Sequence, residues 1–291
     1  MKTRLIAFLL IIFCSLTVKS QYYIGKKKTM QDFIHCPKMK VVLTGEPNFD
    51  SSLKNAVQQF WKLKEVEFVT DVAEKKEDVE GQIYMIFIEY STNFWFGKKL
   101  MIVDREKPSQ KIIYCPVIAG AAFDDFSQET DLTAAAWRLD FVVKGLNDAM
   151  QIMIDNNYTG LDVFDPVANK VNIKASVLKT KILLISKQEV NAKKWGWGFA
   201  KTAIPMEVFD DYPYEKRVAE AKGVSEAIDE KDERYCLFMP VYSDAKFVFV
   251  YDLQTKETVY VAKYDGLSVF NLNKNDIRDL VDAITGKYLP K

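Results

Sequence analysis

The stretch from Arg234 to Gly266 constrains this chain more than any other. It reads Tyr-Cys-Leu-Phe-Met-Pro-Val-Tyr, then Lys-Phe-Val-Phe-Val-Tyr-Asp, then Thr-Val-Tyr-Val-Ala-Lys-Tyr. Apolar, β-branched and aromatic runs of this length, separated by short polar breaks, predict an antiparallel meander. The same order occurs earlier, in Gln82–Tyr90, Lys99–Asp104 and Lys111–Val117. Tyr90-Ser91 answers Tyr242-Ser243, Asp104 answers Asp252, and Tyr114 with Gly120 answers Tyr260 with Gly266. The pattern predicts an internal duplication.

What precedes each meander extends the correspondence. Lys40–Thr44 predicts a short strand ending at Gly45, and Asp50 is placed to accept from the free amides of a first helical turn. Leu53, Ala56, Val57, Phe60 and Trp61 then share a helix face. Val66–Thr70 predicts a second strand, and Asp71 can cap a small charged helix through Val79. After the first meander, Leu132, Ala135, Leu139, Val142, Leu146, Met150 and Met153 trace an apolar stripe along a helix predicted over Asp131–Asp155.

Leu161–Val177 holds Asp162, Asp165-Pro166, Asn169 and Asn172, a composition that predicts a turn-rich connection. The second series follows. Thr180–Ser186 predicts a strand, and Glu189–Ile204 an irregular segment interrupted by Trp195-Gly196-Trp197-Gly198. Tyr214–Val218 predicts another strand and Val224–Asp232 a small helix. A final helix capped by Asn275 carries Ile277, Leu280, Val281 and Ile284 and stops at Gly286. The expected fold is α/β with mixed sheets (α+β), in two tandem divergent repeats. Each reads strand, helix, strand, small helix, three-stranded meander, helix. The expected division is 1–20 leader, 21–38 lead-in, 39–156 first unit, 157–178 connection and 179–291 second unit.

Forty basic residues balance forty acidic ones among 291, so no basic excess argues for nucleic acid. The 48% hydrophobic content, with 13% aromatics, is enough to fill a core and excludes overall disorder. Met1-Lys2-Thr3-Arg4, the apolar Leu5–Phe13 and Val18-Lys19-Ser20 predict a secretory signal peptide cleaved near Ser20. Its apolar core falls short of the roughly 20 residues that span a bilayer, and no later stretch predicts a transmembrane segment. A mature start at Gln21 resembles, in style alone, exported proteins of Bacteroidota-type bacteria. The expected location is periplasmic or secreted.

The residues that carry chemistry are few. His35 is the only histidine, which argues against a triad or a zinc site; no metal and no cofactor are expected. With Cys14 removed alongside the leader, Cys36, Cys115 and Cys236 remain, and a Cys36–Cys115 disulfide is the pairing expected if one forms. Cys115 and Cys236 sit in apolar strand runs and are expected to be small buried hydrophobes. The pairs Asp124-Asp125 and Asp210-Asp211 could serve glycoside hydrolysis only across a cleft of the right width.

Aromatic clusters are the remaining candidates. Phe94, Trp95 and Phe96 stand in a hairpin connection, and Trp195 and Trp197 beside glycines. Such side chains offer large contact area at low entropic cost. The sequence therefore predicts an exported, non-enzymatic binding or scaffolding protein of the bacterial cell envelope, with a protein or glycan partner held by these aromatics. The alternative is a secreted glycan-directed hydrolase using the acidic pairs in a cleft between the two units.

Overall fold

The computed structural model describes residues 27–70, 82–91, 95–104, 111–122, 136–159, 163–187, 206–242, 246–264 and 272–287. For residues 88–91, 95–99, 104, 111–122, 241 and 242 only the backbone is described. The protein is mixed α/β, with two mixed five-stranded sheets and six α-helices among these residues.

After helix α1 (Lys27–His35), β1 (Lys38–Val42) lies between β2 (Glu65–Val69) and β3 (Ile83–Ser91), parallel to both. β3 then pairs antiparallel with β4 (Trp95–Asp104), and β4 with β5 (Lys111–Ala122). In the second sheet β6 (Ile182–Ser186) lies between β7 (Lys216–Ala219) and β8 (Tyr235–Tyr242), again parallel to both. β8, β9 (Lys246–Asp252) and β10 (Thr258–Tyr264) form the antiparallel part. Strand order and pairing sense therefore coincide, β2-β1-β3-β4-β5 against β7-β6-β8-β9-β10. Asp104 faces Ile83 and Asp252 faces Cys236 at matching ends of the two hairpins. Counted from there, Tyr90 and Tyr242 fall one step out of register.

The helices form where apolar residues recur at helical spacing. In α2 (Pro47–Phe60), Phe49, Leu53, Ala56 and Val57 are buried. Its first turn differs from the expectation: Glu46 is the N-cap and Asp50 lies inside the helix. The Asp50 carboxylate faces backward instead, accepting from the Thr44 amide and hydroxyl at 2.8 Å each and from the Gly45 amide at 2.9 Å. Pro47 opens the helix, where its missing N–H costs nothing.

A short 3₁₀ turn at Ala136–Arg138 leads into α3 (Leu139–Asp155). Residues 123–135, into which the predicted long helix extended, lie outside the described residues. The small helix predicted after Asp71 and the segment Glu189–Ile204 lie outside them too.

The stretch predicted to be a turn-rich connection is helical. Residues Phe164–Asn172 form α4 and Ile173–Lys179 a 3₁₀ helix. Val163, Phe164, Val167, Ala168 and Val171 are buried at helical spacing. Pro166 falls in the first turn, where the helix tolerates it. Asn172 ends α4 in a buried contact: its amide accepts from Val261 N at 2.8 Å and donates to Val261 O at 3.0 Å. One side chain thus satisfies both backbone groups of a residue on the outer side of β10, the sheet's edge.

Helix α5 (Ala221–Asp229) follows β7, and α6 (Lys274–Thr285) closes the fold. The N-cap of α6 is Asn273 rather than Asn275: its side chain accepts from Asn275 N, while Asp276 accepts from Asn273 N at 2.8 Å, a reciprocal capping box. Gly286 ends the helix at φ 74, a left-handed conformation that favours glycine.

Two buried clusters fill the interior. The larger runs from α2 and the first sheet through α3 and α4 to one face of the second sheet. On that face Phe247, Phe249 and Tyr251 stand two residues apart along β9, Phe249 and Tyr251 stacked at 5.5 Å between ring centres. Phe164 of α4 packs against one end of this ladder at 6.0 Å and Phe141 of α3 against the other at 4.9 Å. The smaller cluster occupies the opposite face of the second sheet, with Cys236, Phe238, Val248 and Val250 under α6 and the 3₁₀ turns.

Candidate functional site

The two antiparallel meanders differ in length. β3, β4 and β5 span 9, 10 and 12 residues, whereas β8, β9 and β10 span 8, 7 and 7. Counted from the aspartates that close β4 and β9, the additional length of β4 lies at its hairpin end, where Trp95 and Phe96 stand. Trp95 pairs with Ala122, Phe96 with Ser91 and Ala121, and Gly97 with Tyr90 and Gly120. The candidate aromatic site is thus the end of a three-stranded ribbon whose paired backbone fixes the order of its residues.

Phe94, Trp195 and Trp197 lie outside the described residues, as do the side chains of Trp95 and Phe96. Cys36 is a buried free thiol that donates to the Lys38 carbonyl at 3.0 Å; the Cys115 side chain lies outside the described residues. Cys236 is fully buried in the smaller core, as its strand context predicts, and burial pushes its thiol up to about 12. It is a protonated hydrophobe at neutral pH. His35 ends α1 with Nδ1 2.7 Å from the Gln31 carbonyl. Asp210 and Asp211 are exposed in the turn after a short 3₁₀ helix, Asp211 3.6 Å from Lys274; Asp124 and Asp125 lie outside the described residues.

The sequence did not signal the buried charges. Lys246 and Asp276, both fully buried, meet at 2.7 Å; burial pulls the lysine down and pushes the aspartate up, each against the attraction of the other. Lys181 reaches Asp252 at 2.5 Å, and Asp252 also accepts from the amides of Gln254 and Thr255, holding the β9–β10 turn. Lys256 is buried with its ammonium 4.7 Å from the centre of the Phe141 ring. At the start of β8, Arg217 and Arg234 stand 5.5 and 5.3 Å from the Tyr235 ring centre. Arg234 grips Asp232 with two nitrogens and lowers its carboxyl to about 2. Each group is tied into a turn, a helix end or a ring contact.

Among the described residues no cluster of three or more histidine, cysteine or acidic side chains is placed to hold a metal, and no helix is long and apolar enough to cross a membrane. Comparison with known proteins gives no match: no family model, no curated protein and no solved structure is similar to this chain. The function is therefore argued from its own geometry.

Proposed function

We propose that this protein is an exported, non-enzymatic binding or scaffolding component of the bacterial cell envelope, acting in the periplasm or outside the cell. In this reading one α/β unit was duplicated, and the first copy extended its meander into an aromatic-tipped ribbon. The observation that carries it is that extension, which places Trp95 and Phe96 at the paired end of β4, beyond the length of its counterpart β9. The added residues lie beyond the strand pattern that the two sheets share, and in this reading they serve contact with something else. Trp195 and Trp197, in the segment after β6, are the second candidate contact. The leader-like Met1–Ser20 supports export.

A glycan-directed hydrolase would need its acidic pairs in a cleft between the two halves. The geometry favours it less: Asp210 and Asp211 are exposed in a turn, and apolar side chains of α3 and α4 pack against the second sheet. Co-purification from the native envelope tests the proposal. Wild-type protein should arrive with its signal removed near Ser20 and with a partner that Trp95→Ala or Trp197→Ala loses. An intact leader in a cytoplasmic fraction, or a partner set unchanged by both substitutions, would sink it.

A further inference from the structure

Each sheet ends on a short strand, β2 in the first and β7 in the second. Backbone groups of successive strand residues point to opposite sides. The Val69 carbonyl accepts from Leu43 N at 2.8 Å, on the β1 side, so the N–H and C=O of Val66 and Phe68 point away from the sheet. Leu183 N donates to the Glu215 carbonyl at 2.9 Å, on the β6 side, so those of Lys216 and Val218 point outward as well. No hydrogen bond within the described residues reaches these outward groups. The far edge of the second sheet differs: on β10, Asn172 takes both backbone groups of Val261.

The two open edges carry opposite charge. Glu65 and Glu67 are exposed on β2, and Lys216 and Arg217 on β7. Lys38 and Lys40 of β1 stand beside the glutamates. Lys216 donates to the Phe209 carbonyl and Arg217 to the Tyr235 hydroxyl, neutral partners that hold the side chains without removing their charge. Between the charges lie apolar residues, Val66 and Phe68 half-buried and Val218 42% exposed. An unpaired edge is a template for another strand, and here each edge repels its own kind and attracts the other.

We propose that β2 of one copy pairs antiparallel with β7 of a second copy of this chain, joining their sheets into one. In the register that sets Val66 against Val218 and Phe68 against Lys216, each pair turns its outward backbone groups on the other and exchanges both N–H···O bonds. Glu67 then lies opposite Arg217, and Lys40, Glu67 and Arg217 alternate in sign across three strands. On the other face Met39, Val66, Val218 and Ile185 make one apolar row, which accounts for the exposed valine. Because the two edges differ, each copy keeps one of them free, and the contact repeats head to tail into a chain or a ring. The surface is separate from the aromatic end of β4, so the inference goes beyond the binding reading and does not depend on it.

Sedimentation equilibrium of the purified protein, at concentrations rising to about 1 mM, tests the contact. Two short strands bury little surface, so association should be reversible and grow with concentration. Val218→Pro removes one outward N–H and leaves the ladder to β6 intact; it should stay monomeric with its melting temperature little changed. Glu67→Arg and Arg217→Glu should each stay monomeric, because each sets like charges at the central pair. An equimolar mixture of the two, which restores opposite charges there, should associate again. Trp95→Ala should associate like wild type. A wild type that is monomeric throughout, association that survives Val218→Pro, a mixture that fails to recover it, or its loss in Trp95→Ala overturns the proposal.

Discussion

Lys246 and Asp276 form an ion pair at 2.7 Å in which neither side chain is exposed to solvent. The lysine opens β9; the aspartate sits in the first turn of α6 and also accepts from the Asn273 amide. The ammonium lies 4.5 Å from the centre of the Tyr264 ring, whose hydroxyl donates to Asp279 at 3.1 Å. The arrangement pins the start of a hairpin to the start of the last helix.

Removing one partner should therefore cost more than the pair contributes. Asp276→Ala strands a buried ammonium and is expected to lower unfolding free energy by about 3 to 5 kcal/mol in urea titration. The double change Lys246→Met with Asp276→Leu replaces both charges with apolar volume and should recover most of that loss. The residual cost is that of the capping box, about 1 kcal/mol. A double variant no more stable than Asp276→Ala would show that the charges themselves are required.

That pair also marks where sequence reading stopped. The strands were legible because their apolar runs are long and bounded by polar breaks. Lys246 was not legible, because a lysine opening a strand reads as a solvated end and its burial depends on an aspartate that arrives with α6. α4 was missed for the opposite reason. Asp165, Pro166 and Asn172 suggested turns, while the helical spacing of Phe164, Val167, Ala168 and Val171 was the stronger signal. The aromatic tip could be located in sequence, but the facing of Gly97 and Gly120 needed the register.

The cap of α6 gives a second prediction. The sequence pointed to Asn275, and Asp276 selects Asn273 instead by standing three residues after it and accepting from its amide at 2.8 Å. Asn273→Ala should cost about 1 kcal/mol and Asn275→Ala no more than a few tenths, read from paired thermal melts. Equal losses would place the helix start elsewhere.

At Gly145 the helix α3 passes close to β10: a Cβ there would stand 3.3 Å from the Thr258 hydroxyl oxygen. Gly145→Ala gains up to about 1 kcal/mol of helix propensity and meets a hydroxyl with some freedom to turn away, so little net change is expected. Gly145→Val brings branched bulk to the same contact and should destabilise by roughly 1 to 3 kcal/mol. If the valine variant melts with wild type, the two elements are not held this closely in solution.

Asp232 should titrate at about 2, because the Arg234 guanidinium donates to its carboxylate. Its folded value lies below the ordinary 3.8, so the stability it contributes is complete above 3.8 and is lost as pH falls through about 2. Carboxyl-carbon NMR would follow the titration directly, and Arg234→Ala should return the midpoint toward 3.8. A wild-type midpoint already near that value would mean the pair is not formed in solution.

Asn172 offers the sharpest contrast. Its amide serves both the N–H and the carbonyl of Val261, so Asn172→Leu leaves two buried backbone groups without partners and should cost about 2 to 4 kcal/mol, with the Val261 amide losing its protection from hydrogen exchange. Asn172→Asp separates the two contacts. Its carboxylate can still accept from the amide but faces the carbonyl oxygen with no hydrogen to offer, and burial raises its pKa. Protonation restores the missing donor. The aspartate variant should thus be strongly destabilised at neutral pH and gain stability relative to wild type as pH falls through the raised value. A deficit that stays constant from pH 7 to pH 4 would mean that the bond to the Val261 carbonyl contributes little and that the amide contact alone holds α4 to the sheet edge.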